Sequence, residues 1–359
     1  MERVQYWTLV STGLVLASLV AAACFTQETR PAHGVPQGSP KLVVDMSEMK
    51  GKAYVVSFQD GRPSIAELLP DTRLKWMIGC GRRRLLCSAA NGGKNEMISM
   101  DIGSAERSSL GGVPRALPDT PEGDVSPDGK RMCFRWMRSG KEGISVMEIE
   151  TGRIEEVFSS TGPVSPPSWS PGGTAVAYYF GTEQSYADDG FQVAISDRLD
   201  DKAAWEQRVV GPASKKGSRS PSRTSAPIWA CNGAFLVFQA RYHSEEVGLQ
   251  TYAVRSNGRD LIRIGGPASR PSAHPDGKSV VCVSVGDGRV FAYDLESRTE
   301  RLLFRREGAH SVKISPDGKN AAYSDTQGRV IVANADGSQP RVVLETGQAV
   351  VKEEFCWVP

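Results

Sequence analysis

Histidine is scarce in this chain, with His33, His243, His274 and His310 the only four among 359 residues. Imidazole is the side chain most used for proton transfer and metal ligation near neutral pH, so little is present from which to build a histidine-based centre. No Gly-x-Ser-x-Gly occurs, which removes the nucleophile elbow of a serine hydrolase. No Cys-x-x-Cys pair and no Cys/His cluster at zinc spacing occurs either. Two oxygen-rich turns, Ala187-Asp188-Asp189-Gly190 and Asn334-Ala335-Asp336-Gly337, fall short of a full calcium loop, and no metal or other cofactor is expected. Apolar residues at helical spacing are not sustained over a dozen residues beyond the first forty, which excludes a helical architecture. Charge is nearly balanced, 43 Lys and Arg against 41 Asp and Glu, and the resulting +2 gives no reason to expect a nucleic-acid partner.

Turn residues, by contrast, are abundant, with 37 glycines and 22 prolines. Five stretches vary one phrase: Ser126-Pro127-Asp128-Gly129-Lys130, Trp169-Ser170-Pro171-Gly172-Gly173, Trp229-Ala230-Cys231-Asn232-Gly233, His274-Pro275-Asp276-Gly277-Lys278 and Ser315-Pro316-Asp317-Gly318-Lys319. Proline presets φ for a turn, aspartate bonds nearby backbone, and glycine accepts positive φ. The last glycines fall 44, 60, 44 and 41 residues apart, and three of the four intervals match the period of a propeller blade. The 60-residue interval contains Asp200-Asp201-Lys202 and the basic, serine-rich run 215–223, and reads as one blade with long surface loops. Degenerate copies are expected around Trp76 to Gly81 and at Gly51-Lys52, the latter completed by Trp357-Val358-Pro359 at the other end of the chain.

Short runs rich in β-branched and aromatic residues follow each phrase, such as Thr174 to Tyr179, Ala234 to Gln239 and Ser279 to Val285. A second strand follows each time, at Ile144 to Ile149, Phe191 to Ser196, Leu249 to Val254, Val290 to Leu295 and Val330 to Ala333. The fold class is therefore all-β, a single β-propeller over 41–359. Its 319 residues divide into about 46 per blade for seven blades and about 53 for six. Seven is favoured, with six as the alternative. Pairing of the N- and C-terminal strands would close the ring and remove exposed sheet edges.

From about residue 51 onward, the phrase and the strand after it resemble the TolB-like (WD40-like) β-propeller repeat family, with Ser126 to Lys130 and Ser315 to Lys319 matching its Ser-Pro-Asp-Gly-Lys in full. Departures are Asp124-Val125 where the repeat has Trp, Cys231-Asn232 for Pro-Asp, and His274 for Ser. The resemblance implies the fold and leaves activity open, because this repeat occurs in Tol-system proteins, in peptidase propellers and in other surface proteins. Its peptidase members carry a separate α/β-hydrolase domain after the propeller. With Trp357-Val358-Pro359 as the last residues, no peptidase is expected.

The first forty residues concern address. Met1-Glu2-Arg3 precedes an uncharged stretch from Val4 to Ala23, which reads as a signal peptide over 1–23. Ala21-Ala22-Ala23-Cys24 resembles a bacterial lipobox, which implies lipidation of Cys24. Ordinary cleavage and an uncleaved anchor are the alternatives, and all three place the propeller outside the cytoplasm, secreted or held to the membrane by a lipid or anchor. Residues 24–40 read as a flexible tether. Of the other six cysteines, Cys87, Cys133 and Cys282 fall within expected strands as small buried hydrophobes. Cys80 and Cys87 are near enough in sequence to bridge.

Inner strands line a propeller's channel. Eight residues before each marker glycine stand Arg73, Pro121, Ser165, Ser225, Ser269 and His310, with Glu353 or Glu354 in the terminal copy and Asp71, Glu122, Arg270 and Ser311 beside them. Arg73, Glu122, Ser165, Ser225, Arg270, His310 and Glu353 are the candidate ligand contacts at the channel mouth, a mixed polar ring suited to a polar ligand or peptide. Channel mouths are also simply wet and polar in many propellers. The basic run 215–223 suits anionic lipid, cell-surface polymers or an acidic partner, or plain solvation. The expectation is a monomeric extracytoplasmic binding module for a protein, peptide or glycan, not an enzyme. The rivals are a propeller glycoside hydrolase or lyase using Asp71, Glu122, Asp124, Glu353 or Glu354, and a structural cell-envelope component of TolB-like type.

Overall fold

The computed structural model describes residues 40–358 apart from 47–50, 60–61, 71–72, 82–83, 92–93, 103, 105, 113, 115–116, 119–120, 182–190, 200–203, 212–225, 241, 243–249, 266–267, 285 and 346–354. Seven four-stranded antiparallel sheets form the blades of one propeller. Blade 1 contains β1 (Lys41–Met46), β2 (Lys52–Gln59) and β3 (Arg62–Glu67). Blade 2 contains β4 (Arg73–Gly81), β5 (Arg84–Asn91), β6 (Lys94–Asp101) and β7 (Arg107–Gly112), and blade 3 contains β8 (Glu122–Val125), β9 (Arg131–Arg138), β10 (Lys141–Glu148) and β11 (Ile154–Ser160). In blade 4 lie β12 (Ser168–Trp169), β13 (Ala175–Phe180), β14 (Gln192–Leu199) and β15 (Ala204–Val209). Blade 5 follows with β16 (Ile228–Ala230), β17 (Phe235–Ala240), β18 (Gln250–Arg255) and β19 (Ile262–Arg263). Blade 6 has β20 (Ala268–Ala273), β21 (Ser279–Ser284), β22 (Arg289–Asp294) and β23 (Thr299–Arg305). Blade 7 has β24 (Ala309–Ile314), β25 (Asn320–Asp325), β26 (Arg329–Asn334) and β27 (Arg341–Glu345). The last strand, β28 (Phe355–Val358), returns to blade 1 and pairs with β1 from Lys41↔Val358 to Val44↔Phe355. This is the expected seven-bladed ring closed by its two terminal strands.

The repeated phrase turns the chain from the innermost strand to the second. At Ser315 the main-chain N–H donates to Asn320 O at 2.8 Å, and Ser315 O accepts from Gly318 N–H at 2.8 Å. The Ser315 hydroxyl donates to Asp317 Oδ1 at 2.6 Å and accepts from Asn320 N–H at 2.9 Å, and the same carboxylate accepts from Lys319 N–H. Ser126 to Arg131 repeats this pattern, and Gly129 and Gly318 sit at φ +70° and +71°, where a side chain would be strained. The two Ser-Pro-Asp-Gly phrases thus close their turn bonds within six residues. The 60-residue interval holds one blade, its extra length falling largely between β15 and β16. The Gly51 copy is displaced: Gly51 lies between the second and third strands of blade 1, because β1 already serves as the partner of β28.

Apolar side chains gather between blades, one cluster at each junction. Trp76, Ile78, Leu86 and Met97 of blade 2 meet Val125, Met132, Phe134 and Met147 of blade 3. Leu42, Val44 and Phe355 of blade 1 meet Ala322, Val330 and Val332 of blade 7. Strands buried on both faces explain why their sequences read as continuous apolar runs. Cys87, Cys133 and Cys282 are buried free thiols, as expected, so Cys87 does not bridge to Cys80. Burial pushes the Cys87 thiol up to about 12, and such a group is inert. Cys356, in the closing strand, is disulfide-bonded.

No helix among the described residues is long and apolar enough to cross a membrane. The leader, the tether and Cys24 lie outside the described residues. Because β28 holds the ring shut, Cys356→Ser, or a dithiol reductant on the wild type, is expected to lower stability by about 2 to 4 kcal/mol. Chemical denaturation reads this as a lower midpoint, and an unchanged midpoint would show that the bond is dispensable.

Candidate functional site

The innermost strands begin at one end of the channel, and the eight-residue offset finds that end. Arg73 opens β4, Glu122 opens β8, and His310 is the second residue of β24. Arg73 and His310 are exposed, and Glu122 is half-buried. Ser165 lies just before β12 and is buried, its hydroxyl donating to Pro166 O and accepting from Tyr179 N–H, both at 2.9 Å. Its polar atoms are therefore committed within blade 4. The backbone of Arg270 belongs to β20, while its side chain, Ser225 and Glu353 lie outside the described residues, as do Asp71, Glu354 and the basic run 215–223.

The structure brings together polar residues at the junction of blades 3 and 4 that sequence reasoning only partly names. Register places Glu122 opposite Arg135 on β9, and Arg135 Nη1 lies 3.4 Å from Glu122 Oε2 and 3.3 Å from Val164 O. Glu142, near the start of β10, is buried and accepts from Val164 N–H at 2.9 Å. One residue inward from Gly123, Asp124 Oδ2 accepts from Trp169 N–H at 2.9 Å, tying the inner strand of blade 3 to that of blade 4. Burial lifts the Asp124 carboxyl to about 6, against the lowering effect of the Trp169 amide.

Gly123 itself is dictated by packing. A Cβ there would stand 1.9 Å from Cys133 O, so only glycine lets β8 lie against β9 and aim Glu122 and Asp124 along the channel wall. The departure from the repeat at Asp124 also has a visible result. In blades 5 and 1 the phrase tryptophan donates its indole N–H to the neighbouring inner strand, Trp229 to Ser168 O at 3.2 Å and Trp357 to Lys313 O at 2.8 Å. For Trp169 of blade 4 the corresponding carbonyl, Asp124 O of blade 3, instead accepts from the Cys133 thiol at 3.5 Å. Trp169 Nε1 finds no acceptor among the described residues, and the Arg131 guanidinium covers its ring at 4.9 Å.

Chemically, two of the three acids at the junction are already engaged in hydrogen bonds. Glu142 and Asp124 each hold a main-chain amide of blade 4, and Glu122 pairs with Arg135. No group of three or more His, Cys, Asp or Glu among the described residues is placed to hold a metal ion. In the turn 334–337, Asp336 accepts from Ser338 N–H at 2.9 Å, a turn contact.

Two outcomes follow. Gly123→Ala is expected to cost about 2 kcal/mol or more, whereas Gly172→Ala, where a Cβ would meet nothing closer than 4.0 Å, is expected to be near neutral; comparable melting shifts would refute the packing account. For Asp124 the folded pKa lies above the unfolded value, near 3.8. The fold therefore binds a proton that the unfolded chain has released between about pH 4 and 6, and Asp124's contribution to stability grows as pH falls through that window. Above about pH 6 the burial cost is paid in full. Asp124→Asn keeps an acceptor for Trp169, and is expected to raise the melting temperature at neutral pH but not near pH 4; a pH-independent difference would contradict it.

Similarity to known proteins bears mainly on the fold. No curated protein matches the chain in sequence. An oligogalacturonate lyase solved in complex with manganese is 12% identical, with 82% of this chain and 84% of that one covered and a TM-score of 0.57. A functionally unknown protein from Desulfotomaculum acetoxidans is 10% identical, with 89% and 98% covered and a TM-score of 0.56. TolB from Acinetobacter baumannii is 16% identical, with 91% and 68% covered and a TM-score of 0.46. At such identities the likeness to the lyase and to the Desulfotomaculum protein speaks to the shared propeller and not to chemistry. The sequence of residues 115–358, 244 of the 359, matches the TolB beta propeller domain, and the chain therefore belongs to the TolB β-propeller family.

Proposed function

We propose that this propeller is an extracytoplasmic component of the cell envelope, of TolB-like type, that works by binding a protein at the channel mouth and is tethered to the membrane through Cys24. The engagement of the described acids on the blade 3 and blade 4 side of the mouth supports the reading. Glu142 and Asp124 are engaged by main-chain amides of the neighbouring blade, and Glu122 faces Arg135 as an ion pair at 3.4 Å, its Oε2 making no hydrogen bond among the described residues. A retaining or inverting glycosidase needs two carboxyl groups free to face the sugar, and groups that hold the wall together are poorly suited to that work. What the mouth offers is a rigid polar rim, with exposed Arg73 and His310 and half-buried Glu122 standing on strand ends. Rigid scaffolds commonly present recognition groups in this way. Family membership and the leader support an envelope location, and the Ala-Ala-Ala-Cys sequence supports the lipid tether.

A lyase is the second reading, favoured by the Asp124 carboxyl, whose lifted pKa suits proton transfer, and by the fold likeness to oligogalacturonate lyase. One experiment separates the two. A photo-crosslinking residue in place of His310, introduced in intact cells, is expected to give a discrete adduct with one envelope protein. The purified protein, supplied with manganese, is expected to yield no unsaturated product from oligogalacturonate. Product formation that Asp124→Asn abolishes would overturn the binding reading. Mass spectrometry of the mature N-terminus is expected to find a lipidated Cys24, and an intact leader would overturn the tether.

A further inference from the structure

The closing strand is held by a covalent bond as well as by hydrogen bonds, since Cys356 is disulfide-bonded. Cys87, Cys133, Cys231 and Cys282 carry free thiols, which leaves Cys24 and Cys80 of the seven cysteines as its partner. Side chains alternate along β28 and put Cys356 on the side of blade 2. Phe355 and Trp357 pack with Ala322, Val330 and Val332 of blade 7. Cys356 instead packs, with Val358, among Leu74, Leu85 and Cys87 of blade 2.

Backbone register identifies the residue of blade 2 that stands at the same level. Strands are counted here outward from the channel. In blades 3, 4, 5, 7 and 1 the tryptophan place of the phrase lies opposite the second residue of the second strand: Val125↔Met132, Trp169↔Val176, Trp229↔Leu236, Ile314↔Ala321 and Trp357↔Leu42. Neighbouring blades touch at this place. The residue just before it bonds to the residue occupying it in the next blade, Asp124 to Trp169, Ser168 to Trp229 and Lys313 to Trp357. Cys356 is the residue just before Trp357, so its counterpart occupies that place in blade 2, opposite Leu85. There the register shifts: Ile78 pairs with Leu86 and Gly81 with Arg84, so Gly79 and Cys80 together oppose Leu85 in a bulge. Gly79 has no side chain, and Cys80 is the residue that supplies one.

We propose that Cys80 and Cys356 form a disulfide that staples the closing strand of blade 1 to the innermost strand of blade 2. Main-chain pairing ties β28 to β1, and Trp357 and Phe355 tie it to Lys313 of blade 7. The disulfide supplies the remaining link, to blade 2. Each thiol gives up one proton and one electron as the S–S bond forms, and a disulfide oxidant takes up both pairs by exchange and leaves as a dithiol. Such oxidants act outside the cytoplasm, so the staple is set after export, and until then the ring is shut by hydrogen bonds and packing alone. The pairing rests on register, whereas its timing rests on the extracytoplasmic reading above.

The full-length protein, isolated without reductant, is alkylated with N-ethylmaleimide, digested with trypsin and mapped by mass spectrometry. Peptide 76–82 is expected to be joined to peptide 353–359, and reduction before alkylation to separate them. A peptide 353–359 alkylated without reduction, or joined to the peptide carrying Cys24, would overturn the pairing. Hydrogen exchange supplies a second readout. Amides of β1 and β28 are expected to exchange about tenfold faster in Cys80→Ser and to the same extent in Cys356→Ser, with no further gain in the double variant. A dithiol reductant is expected to speed exchange in the wild type and in none of the variants. Unchanged exchange in Cys80→Ser beside faster exchange in Cys356→Ser would also overturn the pairing. Timing is read separately, by alkylation in intact cells: the leader-bearing precursor is expected to carry both thiols free and the processed chain the bond. A bonded precursor would overturn the timing and leave the pairing standing.

Discussion

The structure depends on one pairing, the four residues of β28 against β1. Every other blade is built from strands consecutive in the chain, and each could form its sheet hydrogen bonds from one contiguous stretch of sequence. Blade 1 cannot, because its inner strand arrives from the far end of the chain. Until it does, β1 presents an open sheet edge, and the apolar faces of blades 7 and 2 lack a neighbour. Three further contacts reinforce this place. Trp357 donates to Lys313 O, the Lys313 ammonium donates to Phe355 O at 3.0 Å, and Cys356 between them is disulfide-bonded. A ring shares its core among all junctions, so failure at this closure would expose the two clusters beside it.

The junction of blades 3 and 4 uses the opposite economy of parts. Where the repeat would place a tryptophan, the chain has Asp124-Val125, and the inner strands are joined by a carboxylate, while within blade 3 a thiol donates to β8 and a glycine allows its close approach to β9. Polar groups placed here have a cost, seen in the lifted Asp124 carboxyl. They also make this side of the mouth chemically distinct from the rest of the ring.

Much of the fold was legible in advance, for a physical reason. A Ser-Pro-Asp-Gly turn closes its hydrogen bonds within six residues, so its sequence must carry the full specification, and Ser126 and Ser315 show the same bonds. The strands after each glycine lie between two neighbouring blades and must be apolar on both faces, which makes them visible as runs. The Gly51 copy misled in register because blade 1 is assembled from two ends, and a local phrase cannot report that. At the mouth, the eight-residue offset falls at or beside the starts of β4, β8 and β24, at Arg73, Pro121 and His310. It did not find Arg135 or Glu142, which lie on the second and third strands.

The sequence by itself determined the repeat, the strands and the closed all-β ring, because each follows from turn chemistry and burial acting over a few residues. Tertiary structure decided which polar groups meet. Glu142 reaches Val164 across 22 residues, Asp124 reaches Trp169 across 45, and Trp229 reaches Ser168 across 61. Those partners are set by how adjacent blades pack and twist about the axis, and no spacing along the chain encodes that geometry.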